Sequence, residues 1–415
     1  MTGRRVGVFH QTGPEAAVFE YAAEAGSTPV SLSFPRQGQS SGEAGFAYLD
    51  NLLPDRVEVR TRWARQRDLS GSDPFTLLAS YGEDVAGALS LSPNAELPQR
   101  DPEPVVEATD DDIAARIAAL GRETTSWLDP RVRPRLSLAG SQGKFSLARI
   151  GGRWFWPTFE VPSTHILKPP SLEHRRLDLF EHLALELARA IGVEASRSAR
   201  VDFLGQSTFL VERWDRADGR RLHAEDLNQA LGNRSADKYD TSRVGAPQLA
   251  RLLDRYGMAR RFVRQLAFNA ALGNTDAHAK NYSVLLAGDQ VVLAPLYDAV
   301  PVFFWPRYDA ALAMPIGAAR HPGELTERNW RQFAALAGLD AEMVCQEAFS
   351  IIAAVSDRFS DLFADGGADQ ARLGSINRRV RVLRAVIPQD FRTASPALAD
   401  EPRVTDANLS RTQNR

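Results

Sequence analysis

Apolar residues along this chain alternate between two spacings, and the alternation divides it into regions. Short β-type runs at 6–9 and 29–34, set apart by glycine-containing turns, predict two strands of a small α+β unit. In the same unit Phe46, Leu49, Leu52 and Leu53 recur at helical spacing before Pro54, and 74–79 repeats that pattern before Gly82. The stretch between Leu91 and Val105 is proline-rich, polar and acidic, with nothing to pack. The front unit is therefore expected to occupy 1–95 and a linker 96–110. Beyond it, Thr109 or Asp110 is placed to cap a short helix carrying Ile113, Ile117 and Leu120 on one face. Strand-like runs follow at 136–138, 145–150, 153–156 and 165–168. A helix over about 177–191 stops at Gly192, and runs at 199–204 and 208–213 meet at Gly205 and Gln206 as a hairpin. From Ala246 the pattern is helical up to about Val386, interrupted by a polar loop at 273–281 and two short strands at 282–286 and 291–294. A β-rich part at about 111–215 thus precedes a helical part at about 216–391, and the polar residues 392–415 are expected to be disordered.

Composition narrows the function classes. With 44% hydrophobic residues in 415, the chain can bury one large core or two moderate ones, and general disorder is excluded. Fifty Lys+Arg against 52 Asp+Glu give a formal charge of -2, so no global basic field is available to hold a nucleic-acid backbone. Contact with DNA would need a local patch or a partner. The single cysteine, Cys345, excludes an intrachain disulfide and fits a reducing cytoplasm. No segment approaches about 18 uninterrupted apolar residues and the first residues carry no signal-type apolar core, so a soluble, cytoplasmic protein without membrane contact is expected.

The chemistry concentrates in Gly273-Asn-Thr-Asp-Ala-His-Ala-Lys-Asn281 and in Tyr297-Asp298. Asp276 and Asn281 stand 5 positions apart, the offset between the base and the metal-binding Asn in the catalytic loop of protein kinases. Phosphoryl transfer needs this division of labour, with one carboxylate for the hydroxyl proton and an amide plus a second carboxylate for Mg²⁺. Upstream, Ser137-Leu-Ala-Gly-Ser-Gln-Gly-Lys144 offers small residues, Ala139 and Gly140, whose backbone N–H groups can approach phosphate, and Lys144 adds charge. Lys168 ends a predicted strand and Glu181 lies early on the next helix, the pairing by which kinases position the α- and β-phosphates. The hairpin end around Glu212 and Trp214 falls where a hinge between lobes would meet adenine. Two other readings of the loop stand beside this one. Asp276, His278, Lys280 and Asn281 are also ordinary turn formers and surface charges, and Asp276, His278 and Asp298 are residue types that ligate metals in hydrolases, though without the tight His spacing of zinc motifs.

Taken in order, these segments resemble the HipA family of serine/threonine kinase toxins of type II toxin–antitoxin modules. The resemblance extends to Phe46-Ala-Tyr-Leu-Asp-Asn-Leu-Leu-Pro54, Asp73-Pro-Phe-Thr-Leu-Leu78 and Glu225-Asp-Leu-Asn-Gln229. It implies an α+β, two-lobed protein-kinase-like fold preceded by a small α+β domain, and use of ATP and Mg²⁺. It implies Asp276 as catalytic base within a loop that includes His278 and Lys280, Asn281 and Asp298 as Mg²⁺ ligands, and Lys168 and Lys144 on the phosphates. Gln229, Glu212 and Trp214 would lie near the nucleotide, and Ser137 would be autophosphorylated, which ejects its loop. A helix-turn-helix antitoxin that brings operator DNA, and a protein target such as an aminoacyl-tRNA synthetase, are also implied. Gly143 stands where an acidic residue is common and Trp214 where Phe is usual. Two rival classes are a largely non-catalytic co-repressor component and a small-molecule kinase. Against a dead site stands the joint presence of Lys168, Asp276, Asn281 and Asp298.

Overall fold

The computed structural model describes residues 4–34, 36, 40–93, 104–127, 139–170, 173–308 and 310–391. The expected strand at 136–138, the expected disordered tail at 392–415 and most of the linker lie outside them.

The chain opens with an antiparallel hairpin, β1 (Gly7–Gly13) and β2 (Ala16–Tyr21), with Phe9 opposite Phe19. The second strand is therefore 16–21 and not 29–34, which corrects the sequence expectation. Ala17 and Phe19 alternate inward with the period of a strand, whereas Pro29 lacks a ladder donor and the polar groups of Ser31 and Leu32 bond a distant carboxylate, Glu225. Helix α1 (Gly42–Asn51) is capped by Ser41 and buries Phe46 and Leu49. Helix α2 (Val57–Gln66) was not visible in the pattern because only Val59, Trp63 and Ala64 turn inward among charged neighbours. Helix α3 (Pro74–Tyr81) starts from an Asp73 cap with proline in its first turn.

Helix α4 (Asp110–Arg122) begins with a reciprocal Thr109–Asp112 capping box. It lies on a five-stranded antiparallel sheet in the order β4-β3-β5-β7-β6, made of β3 (Phe145–Ile150), β4 (Arg153–Phe155), β5 (His165–Lys168), β6 (Ser198–Phe203) and β7 (Gln206–Glu212). Helix α5 (Leu177–Ala190) covers the opposite face. Alternation along β7 separates the two sides: Leu210 joins the cluster that holds α4, while Phe209 and Val211 join the one that holds α5. The α4 face also packs against Leu52, Leu77 and Val85, so the front unit and the sheet share one hydrophobic core.

After β7 the chain passes through a buried ionic cluster. Arg213 and Arg216 pair with Asp215 at 2.8 and 2.7 Å, and Arg216 also reaches Asp84 of the front unit at 2.8 Å. Arg221 lies 3.3 Å from the same Asp84 oxygen. Burial opposes charge on Asp84 and Asp215, yet the surrounding guanidinium groups hold both below the ordinary carboxylate range. A two-residue ladder, β8 (Arg216–Ala217) with β9 (Arg220–Arg221), leads to β10 (Ala224–Asp226) and the single turn α6 (Leu227–Ala230).

The helical part comprises α7 (Ala246–Asp254), α8 (Ala259–Leu272), α9 (Glu327–Ala337), α10 (Ala341–Asp365) and α11 (Gln370–Val386). Between α8 and α9 the hairpin β11 (Ser283–Ala287) and β12 (Gln290–Leu293) pairs with β10. Its core includes Trp330, Phe349 and Phe359, with Cys345 buried among them. Among the described residues no helix is long and apolar enough to cross a membrane.

Glu225 on β10 ties this region to the front unit by accepting from Ser31 Oγ at 2.6 Å and from the Leu32 amide at 2.7 Å. Burial outweighs those bonds and pushes its carboxyl up to about 8. A raised folded-state value means that the native chain binds this proton more tightly than the unfolded chain. Stability is then full below the ordinary value near 4.5 and falls as pH rises toward 8. Asp226, pushed up to about 7 chiefly by burial, acts in the same direction. The melting temperature is expected to drop between pH 5.5 and 8.5, and Glu225→Gln to make that drop shallower. Equal slopes for the two proteins in a thermal melt series would show that Glu225 is ionised throughout.

Candidate active site

One cleft between the sheet, the front unit and the helical part collects side chains from across the chain. Helix α8 ends at Gly273 in the left-handed region (φ 83), where a Cβ would stand 2.6 Å from Phe303 and 2.9 Å from the Arg379 guanidinium. The turn aims the next residues into the cleft. Asp276 is half exposed there, with Oδ1 accepting from the Tyr239 hydroxyl and lying 3.7 Å from His278 Nε2. Desolvation raises the Asp276 carboxyl, and the Tyr239 bond only partly offsets it. Burial, then the positive charges of Lys238 and Lys280, push His278 down to about 3, so its imidazole is neutral at physiological pH. Asn281 donates from Nδ2 to the Asp276 carbonyl at 2.8 Å, which orients the amide with its oxygen as the accepting, lone-pair-bearing end.

Lys168, at the end of β5, bridges Glu181 Oε1 on α5 at 2.7 Å and Asp298 Oδ1 at 2.6 Å. Burial disfavours its charge, but Asp298 and Glu181 prevail and hold it protonated well above the ordinary lysine range. Burial likewise opposes the charge on Asp298, and Lys168 with Lys144 draws it well below the carboxylate range. Asp298 adopts a left-handed backbone (φ 55), uncommon outside glycine, with its carbonyl accepting from Asn274 at 3.2 Å. Lys144 points back along its loop and donates to the Ala139 carbonyl at 2.8 Å. Burial and the nearby Lys168 lower it to about 8. Gly140 (φ 103) leaves room for that ammonium, since a Cβ would lie 2.7 Å from Lys144 Nζ.

Ala139, Gly140, Lys144, Lys168, Glu212, Trp214, Gln229, Asp276, His278, Lys280, Asn281 and Asp298 all line this cleft. Ser137 lies outside the described residues. Trp214 stacks on Tyr297 with centroids 5.7 Å apart. Gln229 reaches the cleft, but its amide is spent on the Asp226 backbone N–H and the Tyr48 carbonyl. Sequence reasoning missed Asp55, Asp226 and Tyr239. Asp55 follows directly on the quoted Phe46–Pro54 motif, and Asp226 lies inside the quoted 225–229 motif. Tyr239 carried no local signal.

The donor set disfavours the metal-hydrolase reading. Among the described residues no three His, Cys, Asp or Glu side chains converge to hold a metal ion. The cleft holds one carboxylate and one amide, Asp298 and Asn281, and Mg²⁺ sites of this sparse kind are completed by phosphates and water.

The HipA-like C-terminal domain model matches residues 136–361, and the HipA N-terminal domain model matches 1–92. A Sinorhizobium fredii protein named as a candidate kinase, Y4mE, is 31% identical over 93% of this chain and 97% of its own. The chain belongs to the HipA family. Within that family, the serine/threonine-protein kinase toxin HipA of Shewanella oneidensis is 27% identical over 72% of each chain. A solved HipA from S. oneidensis MR-1, in complex with HipB and its operator DNA, superposes with a TM-score of 0.74 at 21% identity, covering 94% of this chain and 97% of that one. The HipA fold, a β-rich lobe and a helical lobe behind a small α+β front unit, is therefore the fold of this chain.

Proposed function

We propose that this HipA-family chain is an ATP-dependent serine/threonine protein kinase acting as the toxin of a toxin–antitoxin pair. The observation that carries the reading is the Glu181–Lys168–Asp298 bridge, which stands in one cleft with Asp276 and Asn281. Lys168 is protonated and fixed from two sides, ready to hold the α- and β-phosphates. Asp276 orients the acceptor hydroxyl and takes its proton as oxygen bonds to the γ-phosphorus and the bond to ADP breaks. Asn281 and Asp298 would hold Mg²⁺, which supplies charge neutralisation on the phosphates when bound. The neutral imidazole of His278 packs against the edge of Tyr239, with ring centroids 5.0 Å apart, and serves the loop's shape.

The family likeness supports finer assignments, which we propose as well. Residues 1–95 form the front domain, 96–110 the linker, 111–215 and 216–391 the two lobes. Ser137 is the autophosphorylated loop serine, the antitoxin is a HipB-like helix-turn-helix protein that carries operator DNA, and an aminoacyl-tRNA synthetase is the target class. The test is incubation of the purified protein with γ-labelled ATP and Mg²⁺, followed by phosphosite mapping. Label on serine or threonine of an added protein, and on Ser137 itself, is the expected result. ATP turnover without protein labelling would turn the assignment toward a small-molecule kinase, and no ATP-dependent chemistry would leave a binding role alone.

A further inference from the structure

Asp55, in the front unit, touches three separate parts of the cleft. Its backbone N–H donates to the Gly140 carbonyl at 3.0 Å, where the chain on either side makes a parallel bridge between Pro54 and Gly140. Its Oδ1 meets Lys280 Nζ at 2.6 Å and accepts from Ser235 Oγ at 2.8 Å, while Oδ2 meets Lys238 Nζ at 2.6 Å. Lys280 has a second partner, Ser235 Oγ at 2.9 Å, and its side chain is 4% exposed. Two lysines therefore converge on one carboxylate, against the burial cost of that charge, and the contact joins residues 225 positions apart.

We infer that Asp55 is a positioning residue for phosphoryl transfer, holding the Lys280 ammonium at the transferring phosphoryl group while its backbone docks the phosphate-side loop. The inference rests on the kinase reading above. Lys280 lies between Asp276 and Asn281 in the chain and lines the same cleft, so its charge stands where negative charge gathers in the transition state. A long flexible lysine supplies that charge only if something fixes it, and its fixed partners are both outside the catalytic loop. The arrangement makes the front unit part of the active centre. Its amide and its carboxylate act on different elements, so a substitution that keeps the backbone separates the two roles.

Asp55→Asn keeps size and the Gly140 contact but removes the charge. It is expected to lower kcat about tenfold or more, to leave the KM for ATP within about threefold, and to be non-additive with Lys280→Met. In the double variant, loss of Asp55 adds little once Lys280 is gone, because one acts through the other. A merely structural Asp55 would change melting temperature and KM together and would add to the Lys280 effect. Wild-type kcat in a folded Asp55→Asn protein, or strict additivity, overturns the inference. If Asp55→Asn fails to fold, Lys280→Met carries the test, since Asp55 then keeps Lys238 and Ser235; an unchanged kcat in Lys280→Met is equally fatal. Asp276→Asn measured in parallel separates the two levels. An inactive Asp276→Asn beside a fully active Asp55→Asn rejects only the role of Asp55, whereas full activity in Asp276→Asn rejects the kinase site itself.

Discussion

Asp276→Asn is expected to abolish protein phosphorylation to at least about 100-fold below wild type with the fold intact. The amide retains the size of the side chain and can still meet the Tyr239 hydroxyl, so the structural contact survives while proton acceptance is lost. The raised Asp276 carboxyl adds a pH signature. The base works only when ionised, so wild-type activity should fall on acidification at a pH above the ordinary carboxylate range near 4. Rates of substrate phosphorylation measured from pH 5 to 8, with circular dichroism as the folding control, check both points. A folded variant at near-wild-type rate would remove Asp276 from the chemistry.

Asp298→Asn is expected to uncouple nucleotide binding from Mg²⁺. Asp298 is the carboxylate that Lys168 holds ionised and that lines the same cleft as Asn281. Its neutral isostere leaves Lys168 paired to Glu181 at 2.7 Å, so the lysine keeps a partner and its place on the phosphates. Wild-type protein should bind ATP more tightly with Mg²⁺ than with EDTA. The variant should bind with similar affinity in both and lose about 100-fold or more in kcat. Isothermal titration in the two buffers reads the difference directly. An unchanged response to Mg²⁺ would make Asp298 a counter-ion for Lys168 and nothing more.

How far such sites can be read from sequence depends on the range of the contacts. The turn from α8 into 273–281 was legible because it is local: an apolar helix, a glycine where only glycine is comfortable, then the polar residues themselves. Lys168 and Glu181 were legible for a related reason, being 13 residues apart on adjoining strand and helix. The Asp55–Lys280 and Ser31–Glu225 pairs join residues about 200 apart, and no periodicity announces such a partner. Helix α2 was missed because Val59 and Trp63 are its only large buried residues, too few to stand out among three arginines and Glu58. The 29–34 error came from the same limit. Alternating serines and apolar residues look like a strand until it is known that their polar groups serve a distant carboxylate.

The ionic cluster beside β7 sets an order of assembly for the newborn chain. Asp84 leaves the ribosome 132 residues ahead of Arg216, a wait of roughly ten seconds at typical translation rates. Until Arg213 emerges Asp84 has none of its arginine partners, and of the apolar residues that will close over the front unit, Phe145 and Leu147 arrive about halfway through the wait and Leu210 near its end. The front unit therefore waits as an open half-core with a hydrated acid at its edge. It closes only when β3, β5 and β7 arrive with their arginines. A chain cut short before residue 145 would lack all three of these covering residues and would leave that half-core exposed.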